Sequence, residues 1–380
     1  MGKLGFGMMR LPLKSDDPTD FDYDELNAMV DTFIDAGFTY FDTSMAYHAG
    51  HSEEAARKAI VERHPRDSFT IATKFPTFNL VPEDKIEATF QSQLANLGVD
   101  YIDYYLIHDI QTAFYEGIAD EEGIIPATHL FEHAKGWKEQ GLIKHLGISF
   151  HAPAHVLDKL LTEHPEVEFV QLAINPIDWD SEFVQAAKCY ETVRRHGLPV
   201  IGMEMVKGGG LSTLPEEAEA LLRSYRPDDS ISSWSLQFSL DLENTIAILS
   251  GMSNMEQMQD NIKTATADRR LSKEEKLALW HAMDIYRNSA PITPDMIKSF
   301  EGLTWNGVPT TAILQAYSIC QIQPSPGFSD DNNYFRGVLA ENGIDSHGEV
   351  PHPPTILADG TDESELVNKA ADWLLENSFF

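Results

Sequence analysis

The chain has 380 residues, of which 42% are hydrophobic and 10% aromatic, enough to bury a large core in one or two domains. Its 60 acidic residues outnumber the 28 basic ones and give a formal net charge of −32 at pH 7. A field of that sign repels phosphate groups, which argues against nucleic acids and anionic membrane surfaces as partners.

The cysteine content restricts the chemistry that the chain can support. Cys189 and Cys320 are too few for a disulfide framework or for a four-thiolate zinc or iron–sulfur site. They are expected to be small buried residues in a reducing compartment. The stretch MGKLGFGMMRLPLKSDD has no apolar signal core, and no run of about 18 apolar residues occurs. The sequence therefore predicts a soluble, cytoplasmic protein.

Short apolar runs alternate with longer amphipathic ones up to residue 266. The predicted strands, in chain order, are 4–9, 38–42, 69–74, 101–108, 143–149, 168–175, 198–204 and 245–252. The predicted helices are 22–37, 52–64, 81–98, 129–141, 153–164, 181–197, two stretches near 214–240, and 254–266. Acidic residues or proline in the first turn and glycine at the end are typical helix boundaries.

The strands are apolar on both faces, as expected of a parallel sheet covered by helices. Eight strand–helix pairs in 265 or so residues match the usual size of a (β/α)8 barrel, about 250 residues. A doubly wound sheet is the alternative, but no G-x-G-x-x-G motif follows the first strand. The sequence thus predicts an α/β fold, a (β/α)8 TIM barrel over residues 1–268, with a C-terminal helical and loop-rich extension.

Residues 269–380 break the alternation and are predicted to form an extension that packs on the barrel. The segment 272–289 is predicted to be one further helix. Residues 321–362 are rich in Pro, Gly, Asp and Asn, which is typical of loops. The last stretch, 363–377, has apolar residues on one face and predicts a helix that docks back on the protein.

Polar residues stand at the C-terminal ends of three predicted strands, the end at which barrel enzymes carry their active sites. They are Asp42, Lys74 and His108, and Tyr47 follows in the loop after Asp42. Each alone has an ordinary explanation, as a turn cap, a snorkelling side chain or a hydrogen-bonded core residue. Together they could protonate a carbonyl oxygen, since a cation such as Lys74 can lower the pKa of a phenol from about 10. Asp42 would hold the lysine charged, and His108 would orient the oxygen.

The stretches YFDTSMAYHAGHSE, TIATKF and YIDYYLIHD contain these residues, and in them the sequence resembles the aldo-keto reductase superfamily. The resemblance runs in order from residue 3 to about residue 290. It implies an NAD(P)H-dependent oxidoreductase that reduces an aldehyde or ketone to an alcohol by hydride transfer. It also implies that Asp42, Tyr47, Lys74 and His108 are the catalytic residues, with Tyr47 as the proton donor.

The resemblance also implies a set of cofactor contacts. The matching segments are LGFGMMRLP, GIS at 147–149, QLAIN, IGMEMVKGGGL and ILSGMSNMEQMQDN. Met203 is expected to pack on the nicotinamide ring, and Lys207 to reach the pyrophosphate. The residues implied to bind the cofactor are Gly7, Met8, Met9, Asp42, Ser149, Gln171, Met203, Lys207, Gly251, Met252, Ser253, Gln257 and Asn261.

The choice of cofactor depends on the loop at its adenine end. Family members that prefer NADPH usually carry Lys or Arg there, to pair with the 2′-phosphate. From Thr245 to Ile262 this chain has neither, and Gln257 stands where an arginine often does. The resemblance favours NADP(H), and the uncharged loop leaves NAD(H) open.

Two features depart from the family pattern. MEMVKGGGL and SGMSNMEQ are most similar to the bacterial subgroup that often carries an iron–sulfur tail, but the tail here has only Cys320, so no iron–sulfur cluster is expected. The family's N-terminal hairpin, which covers the barrel floor, would have to fit in three residues. The tail, residues 321–380, is the candidate to cover the floor instead.

Two other classes of function stay open on the sequence alone. A barrel that keeps the cofactor as a redox sensor or interaction subunit would use the acidic tail as its binding surface. A metal-dependent hydrolase would need converging His and Asp ligands at several strand ends, where this chain offers Lys and Tyr. The pairs His48/His51 and His151/His155 lack a clear third ligand, so no metal site is predicted.

The expected partner is a small-molecule carbonyl substrate. The segment 110–129 is predicted to form a wall of the substrate pocket, and its acidic residues disfavour a strongly anionic substrate. No pattern in the chain specifies the substrate or the oligomeric state.

Overall fold

The computed structural model describes residues 2–77, 81–110, 127–323, 334–346 and 348–377. Eight parallel strands, each paired with the next in chain order and the last with the first, close into a barrel. The strands are β1 Leu4–Gly7, β2 Tyr40–Asp42, β3 Thr70–Pro76, β4 Ile102–Ile110, β5 Ile143–Phe150, β6 Phe169–Ala173, β7 Val200–Met203 and β8 Thr245–Gly251. The predicted (β/α)8 barrel is confirmed.

Helices follow the strands and cover the outside of the barrel. They are α1 Tyr23–Asp35, α2 Ser52–Ala56, α3 Ile86–Leu97, α4 Ala127–Glu139, α5 Ala154–Glu163, α6 Ala186–Arg195, α7 Glu216–Tyr225, α8 Ile231–Leu240 and α9 Met255–Thr266. α6 begins later than predicted because Ser181 Oγ accepts from the N–H groups of Phe183 and Val184 and holds turns there. No helix within the described ranges is long and apolar enough to cross a membrane.

The strands alternate between two hydrophobic layers. Outward-facing side chains such as Phe41 pack under the helices in the main core, whereas Leu106, Phe169 and Ile201 fill the barrel. Gly147 makes room for the ring of Phe169, since a Cβ there would lie 2.3 Å from ring atom Cζ. The last inward-facing residues of the strands therefore stand above a solid filling, at the mouth of the barrel.

Aromatic side chains of the barrel itself close its floor. The ring of Tyr104 contacts those of Tyr40, His145 and Phe169, with centroid distances of 5.2, 4.8 and 5.2 Å. These residues face inward near the N-terminal ends of their strands. The floor is thus filled from within the barrel.

The C-terminal extension packs at the opposite end. Its elements are α10 Lys273–Asn288, α11 Pro294–Lys298, β9 Thr304–Trp305, β10 Val308–Pro309, α12 Thr310–Gln321, α13 Phe335–Glu341 and α14 Ser364–Glu376. Most of them surround a second hydrophobic core that includes Ala173 at the end of β6 and Phe183 in the following loop. The expectation that the tail covers the floor was therefore wrong for its described residues, because the apolar surface that they bury lies beyond the C-terminal strand ends.

The helix α10 links the two parts of the chain. Leu279, Met283 and Tyr286 belong to the core of the barrel, although the sequence placed them in the extension. The helices predicted at 272–289 and 363–377 are confirmed as α10 and α14. The boundary at residue 268 stays a prediction.

Glu275 and Arg226 tie the start of α10 to the end of α7. Ser272 and Glu275 form a capping box, and Arg226 Nε donates to Glu275 Oε1 at 2.5 Å. The bond from Arg226, together with those from Ser272, lowers the pKa of Glu275 to about 2. The fold therefore stabilises the ionised form of Glu275.

We expect Glu275→Gln to lower the free energy of unfolding at pH 7 by about 1 kcal/mol, since a charge-assisted bond is lost at a partly open site. A carboxyl group with a lowered folded pKa stabilises the fold above its unfolded pKa and loses that effect as the pH falls towards its folded pKa. The difference from the parent in urea denaturation should therefore shrink between about pH 5 and about pH 3. Glu274→Gln, in the same exposed turn, is the control and should change stability by less than about 0.5 kcal/mol. A Glu275→Gln difference that stays constant over this range would contradict the role of the charge.

Candidate active site

One large cleft opens at the mouth of the barrel, with a volume of about 1790 Å³. It exceeds the roughly 300–1,000 Å³ of a pocket for one small ligand. The inward-facing residues at the strand ends line it: Gly7, Asp42, His108, Ser149, Gln171, Met203 and Gly251. The remaining strand, β3, supplies Lys74, which is fully buried beneath the cleft.

The ammonium group of Lys74 connects two of the predicted catalytic residues. Its Nζ donates to Asp42 Oδ1 at 2.5 Å, to the carbonyl oxygen of Thr43 at 2.8 Å and to Tyr47 Oη at 3.2 Å. An ammonium group has three N–H bonds, and all three are used here. The oxygen of Tyr47 accepts from Lys74, so the phenol is left to donate its own proton to another group.

Burial and ion pairing act in opposite directions on the pKa values of this cluster. Burial acts to lower the pKa of Lys74, but Asp42 and Tyr47 outweigh it and the pKa ends above its usual value. Burial raises the pKa of Asp42, and Lys74 opposes that rise. Because a lysine with a raised pKa needs an ionised partner, we describe the pair as ammonium and carboxylate.

The pKa of Tyr47 differs from the sequence-based expectation. Burial raises it, Lys74 lowers it, and the net pKa is above the usual value of a phenol. The expectation that Lys74 would bring this pKa below the ordinary value was wrong, because the desolvation of a phenolate outweighs one neighbouring cation. Tyr47 therefore carries its proton at neutral pH.

His108 completes the group of four predicted catalytic residues. Its ring stands edge-on to the ring of Tyr47, with centroids 5.9 Å apart, and its Nδ1 lies 3.2 Å from Ser44 Oγ. Burial, with Lys74 and His151 nearby, lowers the pKa of His108 well below its usual value, so the imidazole is neutral. Sequence reasoning missed Ser44, which lies between Asp42 and Tyr47 in the same motif.

The loop after Tyr47 adopts a strained backbone. His48 and Ala49 both have φ of 52°, in the left-handed region that residues other than glycine rarely adopt. Leu11 N–H donates to His48 Nε2 at 3.2 Å, and His48 Nδ1 lies 2.8 Å from the carbonyl oxygen of Pro18. These bonds hold the loop against the segment after β1 and offset the strain. Both ring nitrogens of His48 are thus engaged in hydrogen bonds within the protein.

Most of the residues predicted to bind a cofactor line the cleft. They are Gly7, Met8, Met9, Asp42, Ser149, Gln171, Met203, Gly251, Ser253, Gln257 and Asn261. Met252 is fully buried outside it. Lys207 is also buried, and its Nζ donates to both carboxylate oxygens of Asp178 at 2.7 and 2.6 Å. The expectation that Lys207 reaches the pyrophosphate was wrong, because a buried carboxylate binds its ammonium group outside the cleft.

The cleft presents two buried acceptor atoms that have no hydrogen-bond partner in the described part of the chain. They are Asp42 Oδ2 and Gln171 Oε1. The Nε2 of Gln171 is directed to Met203 Sδ at 3.4 Å. Because a buried acceptor without a donor is costly, both atoms point to a ligand that donates hydrogen bonds. A ribose hydroxyl and the amide of a nicotinamide are donors of this kind, so the residues fit such a cofactor.

Charged residues line the cleft near the start of α9. The acidic ones are Glu256 and Asp260, and the basic residues along the cleft are Arg10 and Lys263. Lys263 Nζ donates to the carbonyl oxygen of Asp228 at 3.0 Å. The search of the sequence for a charge that could pair with a 2′-phosphate covered only residues 245–262. It missed Lys263, which directly follows that stretch, and Arg10, which reaches the cleft from the segment after β1.

Comparisons with known proteins agree with this geometry. The sequence matches the Aldo/keto reductase family over residues 3–279. The uncharacterized oxidoreductase YqkF of Bacillus subtilis is 26% identical over 285 residues, which are 68% of this chain and 89% of that protein. The aldo-keto reductase YhdN of the same organism is 30% identical over 123 residues, or 30% of this chain and 34% of that protein.

Solved structures share the fold. The aldo-keto reductase AKR11C1 of Bacillus halodurans superposes with a TM-score of 0.57 at 24% identity, over 74% of this chain and 92% of that one. An aldo/keto reductase from Klebsiella pneumoniae, solved with NADP and acetate, superposes with a TM-score of 0.58 at 19% identity, over 73% of this chain and 89% of that one. With the family matched over most of its length and the same barrel, the chain belongs to the aldo/keto reductase family of oxidoreductases.

Proposed function

We propose that the protein is an NAD(P)H-dependent carbonyl reductase that converts an aldehyde or ketone to the alcohol, with Tyr47 as the proton donor. One observation supports this most directly: Lys74 donates its third N–H bond to the phenol oxygen of Tyr47. The phenol lies at the cleft and keeps its proton, so it can donate that proton to a substrate oxygen.

The four residues have distinct roles in this proposal. The nicotinamide cofactor, when bound, supplies the hydride that reduces the carbonyl carbon. Tyr47 gives its proton to the carbonyl oxygen as negative charge develops there, and Lys74 stabilises the phenolate that remains. Asp42 keeps Lys74 charged and in place. His108, neutral and bonded to Ser44 through Nδ1, orients the carbonyl oxygen through Nε2.

The cofactor proposed is NADP(H), with NAD(H) as the alternative. The relative from Klebsiella pneumoniae was solved with NADP, which supports the first. The polar groups at the adenine end support it less, because Gln257 Oε1 already accepts from the N–H of Ser253 and Glu256 lines the same region. Ser149 and Gln171 are proposed to hold the carboxamide, and Met203 to lie against the ring.

Fluorescence titration of the purified protein with NADPH and with NADH tests the proposal. We expect at least one of them to bind with a Kd on the order of micromolar or below, and the loaded protein to reduce members of a panel of aldehydes and ketones. Tighter binding of NADPH would show that the cleft recognises the 2′-phosphate. Binding without reduction of any carbonyl would favour a redox sensor, and binding of neither would refute the proposal.

A further inference from the structure

His151 lines the cleft, and the proposed reaction gives it no role. It follows β5, and its N–H donates to the carbonyl oxygen of Ile110, so the pairing of β5 with β4 extends to it. In a strand, residues two apart face the same side, which places His151 beside Ser149 at the mouth. His151 Nε2 lies 2.9 Å from Ser149 Oγ.

The direction of this hydrogen bond decides what Ser149 can offer to a ligand. A serine hydroxyl has one proton and two lone pairs. If His151 Nε2 accepted that proton, Ser149 could present only lone pairs to the cleft. If Nε2 carries a proton and donates it, the O–H of Ser149 is left to donate to the ligand.

The neighbouring strand indicates which direction the site needs. Gln171 is the register partner of Ser149 across β5 and β6, and its Oε1 is a buried acceptor without a partner in the described residues. A carboxamide that gives an N–H to Gln171 presents its oxygen beside Ser149, and that oxygen requires a donor. The O–H of Ser149 serves it only when His151 donates to Ser149.

The C-terminal extension contacts the ring of His151. Tyr334 lies just before α13, and its ring stands edge-on to His151 with centroids 6.0 Å apart and an interplanar angle of 88°. Tyr334 is buried and packs on Phe183 of the second hydrophobic core. The family match ends at residue 279, so this support comes from the part of the chain beyond it.

We propose that His151 is a positioning residue of the nicotinamide site: it donates from Nε2 to Ser149, which then donates to the carboxamide oxygen, and Tyr334 of the extension holds the ring in place. The inference rests on the proposed function only for the identity of the ligand. It gives the extension a role in cofactor binding.

Two substitutions of His151 separate this role from packing. His151→Phe keeps a ring against Tyr334 but cannot bond to Ser149, whereas His151→Gln places an amide nitrogen near the position of Nε2. We expect His151→Phe to weaken NADPH binding about 3- to 10-fold, the equivalent of one hydrogen bond, and His151→Gln to recover most of it. Adenosine 2′,5′-bisphosphate, which lacks the nicotinamide, should bind both variants as it binds the parent. If the parent prefers NADH, the ligands are NADH and ADP-ribose.

A double-mutant cycle with Ser149→Ala tests whether His151 acts through Ser149. In the Ser149→Ala background, His151→Phe should have no further effect on NADPH binding. The proposal would be overturned if the effects of His151→Phe and Ser149→Ala on NADPH binding were additive. It would also be overturned if His151→Phe weakened the binding of NADPH and of adenosine 2′,5′-bisphosphate equally. Tyr334→Leu should weaken NADPH binding up to about 3-fold with the same selectivity, and equal loss for both ligands would remove Tyr334 from the proposal.

These readouts are independent of turnover. A parent that binds NADPH but reduces no carbonyl would refute the proposed function and leave the inference about His151 standing. If the parent reduces carbonyls while His151→Phe binds NADPH as tightly as the parent, the inference about His151 is refuted and the proposed function stands. Absence of binding by either nicotinamide cofactor would overturn both.

Discussion

Tyr47→Phe is expected to lower kcat for carbonyl reduction by about 10²- to 10⁴-fold, because a positioned proton donor contributes on this scale. The ring would still pack against His108, and only the hydroxyl that receives the bond from Lys74 would be lost. Cofactor affinity should stay within about twofold of the parent, since the hydroxyl is proposed to act on the substrate. Steady-state turnover and fluorescence titration on the same preparation measure both quantities.

Tyr40→Phe is the matched control. Tyr40 is a buried tyrosine of the preceding strand, β2, and burial, with Asp42 nearby, raises its pKa well above the usual value. Its hydroxyl has no hydrogen-bond partner within the described ranges, and Tyr40 does not line the cleft. Turnover should therefore be unchanged in this variant. If Tyr47→Phe retained more than about a tenth of the parent kcat, Tyr47 would not be the proton donor.

The barrel and the group at its mouth follow from local signals in the sequence. Strands that are apolar on both faces, alternating with helices, specify a parallel sheet covered on the outside. In a barrel the C-terminal strand ends converge, so Asp42, Lys74 and His108 could be placed together although 66 positions separate the first from the last. In the structure Lys74 bonds to Asp42 and Tyr47, and the ring of His108 stands beside that of Tyr47.

The extension was harder to predict than the barrel. The helix α12, Thr310–Gln321, is buried on nearly all sides, so its sequence TTAILQAYSICQ has no polar face and no helical period. The turn between β9 and β10, in contrast, has a recognisable sequence signal. Asn306 and Gly307 have φ of 48° and 82°, the left-handed conformation for which the Asn-Gly dipeptide of a hairpin is suited.

Electrostatic details could not be predicted because they depend on burial and on distant partners. The sign of the pKa shift of Tyr47 is set by desolvation, which a sequence does not give. The ion pair of Lys207 with Asp178 could not be foreseen, because Asp178 stands 29 positions earlier in the chain, on another loop. Lys207 was therefore assigned to the cofactor. His151, by contrast, could have been found, since it follows Ser149 at the two-residue spacing of a strand.

Lys74→Met is expected to destabilise the fold by about 3–5 kcal/mol, because it leaves the carboxylate of Asp42 buried without its partner. Turnover should fall by about 10²- to 10³-fold at the same time, since the phenolate of Tyr47 loses the cation that stabilises it. A loss of activity alone could therefore reflect unfolding. Urea denaturation and kcat have to be measured on the same variant.

Adding Asp42→Asn to Lys74→Met separates these two effects. The double variant has no unpaired buried charge, so a large part of the lost stability should return, while turnover should stay low. Lys207→Met with Asp178→Asn is the matched pair, since that ion pair is equally buried but lies outside the cleft. Lys207→Met alone should lower the stability, and adding Asp178→Asn should restore a large part of it, with a much smaller loss of kcat than in the Lys74 series. If turnover returned together with stability in the Lys74 series, the lysine would support the fold and not the proton transfer.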